Sequence, residues 1–167
     1  MQRVESSRPA SKAARYRELR EQLSALFAGE RDGLANTANM CALIYELIPN
    51  LNWAGFYFLR GAELVLGPFQ GKVACVRIAL GRGVCGTAAL RRQTLIVPDV
   101  NAFPGHIACD SASRSEIVVP LVHAGQLLGV LDLDSAQLST FDAEDGAGLE
   151  AAVAVLLQGS DLAPPPR

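Results

Sequence analysis

No stretch of this 167-residue chain stays apolar for the roughly 20 residues that a membrane-spanning helix needs. Residues 1–10 are polar and hold no apolar signal segment, which leaves the cytoplasm as the expected compartment. No block of basic residues is present either. Arg15, Arg17 and Arg20 alternate with Glu18 and Glu21, and the net charge is −2. Nucleic acid is therefore not an expected partner, because phosphate binding needs clustered cations. The four cysteines contain no C-x2-C pair. Only His106 and Cys109 come close, as H-x2-C, so no metal is expected. Internal repeats and linkers are absent, and there is no room for a second, output domain. In a reducing cytoplasm any disulfide would be transient and catalytic.

Half of the residues are apolar and 19% are charged, the balance of a folded domain. Residues 1–11 read as a flexible lead-in, 12–158 as one domain, and 159–167, ending Pro-Pro-Pro-Arg, as a proline-rich tail. Helical spacing of Tyr16, Leu19, Leu23 and Leu26/Phe27 predicts a helix over 12–27. A second helix is expected from an Asp32 cap to Ile48, stopped by Pro49. The pattern then shortens. Strands are expected over 53–59, 63–69, 74–78, 94–97, 114–122 and 127–134, with a short helix over 83–90 and a closing helix over 142–158. Residues 100–113 form a long loop, a length that in a small domain points to function. The fold class is α+β: a central, mostly antiparallel sheet of about six strands with helices packed on it.

Cys41 lies on the apolar stripe Met40, Cys41, Ile44, Tyr45, Ile48 and reads as packing. Cys75, Cys85 and Cys109 instead sit among glycine and proline, at a strand start, a helix start and a loop, where thiol chemistry is expected. Helix-terminal amides favour a thiolate at Cys85. His106 stands close enough in sequence to assist Cys109, while Asp110 would oppose its ionisation. Asp132 and Asp134 are two apart on a strand and share a face, with Leu131 and Leu133 on the other. Glu116 joins them if the hairpin loop has an odd number of residues, and faces away if it has two. Three converging acids would hold a cationic ligand group or keep a proton for acid catalysis. The plainer alternative is acids facing solvent on an edge strand. Trp53 and Tyr57, four apart on a strand, pack in the core or wall a pocket for a small cation or a sulfur methyl group.

These residues carry a resemblance. Asn52-Trp-Ala-Gly-Phe-Tyr57, Gly67-Pro-Phe-Gln-Gly-Lys-Val-Ala-Cys75, Gly83-Val-Cys85-Gly, Phe103-Pro-Gly-His-Ile-Ala-Cys109-Asp, Ser115-Glu-Ile-Val-Val-Pro-Leu121 and Gly129-Val-Leu-Asp-Leu-Asp-Ser135 resemble the free methionine-R-sulfoxide reductases, which are built on a GAF domain. The resemblance implies reduction of free L-methionine-(R)-S-oxide, recycling by thioredoxin as external reductant, and no resident cofactor. It implies Cys109 as nucleophile, with Cys85 and Cys75 as candidates to resolve it. Glu116 and Asp134 become the acid and the main ammonium or oxygen partners, Asp132 supports them, Trp53 packs on the substrate methyl, and Tyr57 offers a hydroxyl. Pairing of GAF domains through outer helices makes a homodimer an expectation. The competing class is a non-enzymatic GAF domain that senses a small molecule or redox state.

Overall fold

The structure is a computed structural model and describes residues 11–107 and 109–162. Nearly all of the expected lead-in and the last residues of the expected tail lie outside those residues. Helix α1 (Lys12–Leu26) starts where the Ser11 side chain accepts from Ala14 N, and α2 (Gly33–Leu47) where Asp32 accepts from Ala35 N. Strands β1 (Leu51–Arg60) and β2 (Glu63–Gly71) form a hairpin, followed by the short β3 (Arg77–Ala79). Helix α3 (Gly83–Arg91), β4 (Leu95–Val97), a single 3-10 turn (Val100–Ala102), β5 (Ser115–His123), β6 (Gln126–Ser135) and α4 (Ala143–Gly159) complete the order. A capping box between Asp142 and Asp145 opens α4. No helix among the described residues is long and apolar enough to cross a membrane.

The strands make one antiparallel sheet in the order β3-β2-β1-β6-β5-β4. Its three-residue edge strands limit the open hydrogen-bonding edge. Helices α1, α2 and α4 cover one face, and Phe56, Ile117, Leu131 and Leu133 point into that layer fully buried. Each such side chain contributes roughly 1.5–3 kcal/mol by leaving water. Helix α3 and the long loop cover the other face, over Trp53, Tyr57, Val118 and Val130. The period-two alternation of β1, β5 and β6 assigns each residue to one of these two layers.

Two sequence expectations change. Strand β3 begins at Arg77, so residues 72–76, including Cys75, lie in irregular chain. Helix α4 runs through Gly159, and the next residues are tied down: Asp161 bridges to Asp32 and pairs with Arg31 at 2.6 Å, while Ser160 Oγ accepts from buried Asn36.

The β5–β6 hairpin decides the placement of Glu116. His123 pairs with Gln126, so the loop has two residues, Ala124 (φ 49) and Gly125 (φ 75). That loop alone would turn Glu116 away from the aspartates. The register shifts at Leu121/Val122, however, and Leu128 becomes the extra residue of a bulge. Glu116 then pairs with Asp134 on the same face. Gly129 follows the bulge, where the Tyr57 carbonyl leaves no room for a Cβ. The turn itself is improvable: alanine is strained at positive φ, and Asn-Gly is the favoured pair for this mirror-image turn. Ala124→Asn should stabilise the domain by about 0.5–1 kcal/mol, read as a higher denaturant midpoint at unchanged slope. An unchanged or lower midpoint would contradict this account of the turn.

Candidate active site

The acids stand at the centre of the sheet, not on its edge. Asp134 lies between Trp53 of β1 and Glu116 of β5, and Asp132 between Gly55 and Val118. Glu116 and Asp132 are each only 6% exposed. Helix α3 crosses above them and lowers Cys85 onto the group, its Sγ donating to Glu116 Oε1 at 3.8 Å. These three acids, Cys85, Cys109, Trp53 and Tyr57 line a cavity of about 40 Å³.

Cys75 and Cys109 are joined by a disulfide at its mouth, with Cα atoms 5.5 Å apart, while Cys41 and Cys85 are free and buried. Both bonded cysteines are half-buried, within reach of solvent. Cys41 packs in the helical layer as expected, its thiol on the Pro68 carbonyl.

Strand β1 aligns both cysteine segments. Trp53 Nε1 donates to Lys72 O at 3.0 Å and Tyr57 Oη to Cys75 O at 3.0 Å, which fixes the irregular chain before β3. The Tyr57 hydroxyl is thus committed to the backbone. Burial and the neighbouring acids push its ionisation far up, so it stays a neutral donor. The Trp53 ring stacks between Tyr57 and Phe69, with centroids 5.9 and 5.4 Å away. One residue earlier, Asn52 Nδ2 donates to Asp110 Oδ2 at 3.2 Å and Ser113 Oγ at 3.1 Å, just beyond Cys109. Asp110 Oδ1 in turn accepts from Ala112 N. Neither Asn52 nor Ser113 stands out along the chain as an anchor, although asparagine inside a strand is disfavoured enough to be a signal. His106 also lines the cavity. Its Nδ1 is buried without a hydrogen-bond partner among the described residues, and burial lowers its basicity, which disfavours a positive charge beside Cys109.

Electrostatics follow from burial without a paired cation among the described residues. None of the ion pairs among the described residues involves Glu116, Asp132 or Asp134. Burial first, then mutual repulsion with the two aspartates, raises Glu116 well above the usual carboxylate range. Asp132 is raised by burial to about 6, and Asp134 is pushed up by burial, Asp132 and Asp110. The group therefore holds protons to a higher pH than ordinary carboxyls do. The helix-start argument for a Cys85 thiolate fails here: burial and the same acids push this thiol well above its ordinary value. The first turn of α3 has no side-chain cap, and its start, Gly83, Val84 and Cys85, lines the cavity together with Arg82. Gly83 has φ +59, and a Cβ there would meet the Ile107 side chain of the cysteine loop at 3.2 Å.

Asn52→Ala should release the Cys109 loop. Displacement by about 1 Å is enough to cost roughly tenfold to a hundredfold in kcat/KM. Steady-state kinetics beside a melting curve check this; unchanged kinetics in a folded variant would remove the anchoring role.

The sheet order, the helical layer behind it and the cavity on the opposite face define a GAF domain, and the GAF domain family model matches residues 15–158. Free methionine-R-sulfoxide reductase of Escherichia coli K12 is 56% identical over 141 residues, covering 84% of this chain and 86% of that one. The protein of the same name from Saccharomyces cerevisiae is 48% identical over 145 residues, covering 80% and 81%. The structure of free methionine-R-sulfoxide reductase from Neisseria meningitidis, solved in complex with its substrate, superposes with a TM-score of 0.87 at 47% identity, covering 90% of this chain and 91% of that one. The chain belongs to the free methionine-R-sulfoxide reductase family of GAF domains.

Proposed function

We propose that this protein reduces free L-methionine-(R)-S-oxide to L-methionine through a cysteine cycle recycled by thioredoxin. The observation that carries the reading is a half-exposed disulfide closing a cavity floored by three protonatable acids. In the reduced protein the Cys109 thiolate attacks the sulfoxide sulfur. The acid group, with Glu116 as principal donor, protonates the departing oxygen. The Cys109–sulfur bond to substrate then gives way as oxygen passes to Cys109, releasing methionine and leaving a sulfenic acid. Attack by the Cys75 thiol forms the Cys75–Cys109 disulfide and releases water. Thioredoxin's dithiol restores both thiols and becomes a disulfide itself. The sum consumes one sulfoxide and one dithiol and yields methionine, one disulfide and water.

The same groups account for selectivity toward the free amino acid. Asp134 and Asp132 suit the α-ammonium, and the uncapped start of α3 beside Arg82 suits the α-carboxylate. A methionine within a peptide has neither charge. The Trp53 ring provides an apolar wall for the sulfur methyl. The reducing cytoplasm as compartment and self-association through the outer helices belong to the same reading; fractionation and sedimentation measure them.

The test is NADPH loss in a coupled assay with thioredoxin and its reductase, offering free methionine-R-sulfoxide, the free S form and a peptide holding the R-sulfoxide. Turnover with the free R form alone is the expected result. Absence of turnover with folded, reduced protein would overturn the reading and favour a sensor.

A further inference from the structure

We propose that the cavity floor is a binding site for a thiophilic divalent cation of the zinc type, held by Cys85 Sγ and by carboxylate oxygens of Glu116 and Asp132. One donor atom from each lies within 4.8 Å of the other two, and all three residues are buried. The Cys85 Sγ to Glu116 Oε1 distance is 3.8 Å. A tetrahedral ion with metal–sulfur and metal–oxygen bonds of about 2.3 and 2.0 Å spans an S···O edge of about 3.5 Å, so the Cys85–Glu116 edge needs a shift of only a few tenths of an ångström, and Asp132 completes the set by a side-chain adjustment within the 4.8 Å that separates the donors. Asp132 Oδ1 is buried and has no partner at hydrogen-bond geometry among the described residues, the Cys85 thiol and the Glu116 carboxyl being the groups that interact with this carboxyl. A carboxylate oxygen left so is costly unless a cation or a donor comes to it. No lysine or arginine among the described ion pairs offsets the charge of this group.

Donor chemistry selects the ion. One thiolate favours zinc or cadmium over magnesium and calcium, which take oxygen ligands only. Asp134, beside Glu116 across the hairpin and lining the same cavity, is a further carboxylate within the site. Binding exchanges protons on the thiol and carboxyls for the metal, so affinity falls as pH falls. Cys85 stands outside the Cys75–Cys109 disulfide, so the site is present in the disulfide form of the protein. One consequence rests on the proposed function: the ion takes Asp132, assigned to the substrate ammonium, and Glu116, assigned to proton donation, and inhibits competitively with substrate.

The experiment titrates Cd2+ into the full chain in its disulfide form, where Cys41 and Cys85 are the only free thiols. The readout is thiolate-to-cadmium charge-transfer absorption, with Zn2+ added as competitor. One equivalent of Cd2+ should give the band, and Zn2+ should remove it. Cys41→Ser should keep the band, Cys85→Ser should lose it, and Asp132→Asn should weaken binding at least tenfold. No band in the folded disulfide protein, or a band retained in Cys85→Ser, would overturn the proposal. Sulfoxide turnover plays no part in this readout, so failure here leaves the reductase reading untouched, and failure of the reductase assay leaves the metal site untouched.

Discussion

Glu116→Gln is expected to lower sulfoxide turnover by about 10²–10³-fold, the usual contribution of a positioned general acid, while raising stability at neutral pH. Both effects come from one geometry. Glu116 is held at the cavity floor between Cys85 and the aspartates, and none of the ion pairs among the described residues involves it. Burial and like charge keep it protonated into a range where an ordinary carboxyl has ionised. That makes it an effective acid and also a liability. An acid whose folded-state pKa is raised stabilises the fold fully only below its unfolded value. As pH rises from there through the folded value, the unfolded state sheds its proton first and stability is lost. For Asp132 this window runs from the ordinary aspartate value, about 3.9, to about 6. For Glu116 and Asp134 it starts in the same range and extends upward. Glutamine keeps the shape and cannot ionise. The variant should therefore melt above wild type at neutral pH, and the gap should close as pH falls below the ordinary carboxylate range. Melting curves across pH beside the coupled assay read both effects. Near wild-type turnover would remove Glu116 from the chemistry; a variant less stable than wild type at neutral pH would contradict the burial account.

Cys109→Ser is expected to abolish turnover, by at least about 10³-fold, as loss of a covalent nucleophile does. Replacements of Cys75 and Cys85 should then separate. Cys75 shares the disulfide with Cys109 across the cavity mouth, pinned there by Tyr57 and, through Lys72, by Trp53. Cys85 lies beneath, 4% exposed, with its thiol held protonated by burial and by Asp132, Glu116 and Asp134. Exchange needs a thiolate, so Cys85 is poorly suited to resolve a sulfenic acid. Cys75→Ser should release about one methionine per chain in a single turnover, since attack and sulfenic acid formation survive, and fall about a hundredfold in thioredoxin-driven steady state. Cys85→Ser should stay within about tenfold of wild type in the steady state. The reverse pattern, with Cys85→Ser collapsing and Cys75→Ser active, would make Cys85 the resolving thiol.

Much of this protein was legible along the chain. The caps at Asp32 and Asp142, the alternation that sends Leu131 and Leu133 to one layer and Asp132 and Asp134 to the other, and the packing role of Cys41 are local properties. They follow from periods of 3.6 and 2.0 and from side-chain bonds spanning three residues. The cysteine-bearing segments and the acid strand also sufficed for the family, because a motif is a local string. Three matters were decided only by tertiary structure. The face taken by Glu116 depended on one bulged residue, Leu128, which reverses the parity implied by a two-residue turn. The state of Cys85 depended on what α3 was pressed against: its position near a helix start argues for a thiolate, and burial over three acids overrides that. Asn52, which ties down the Cys109 loop, shows its role only when β1 and a segment some 60 residues later meet. Register, burial and long-range contact are set by the whole sheet, and desolvation of a charge outweighs a helix terminus once water is gone.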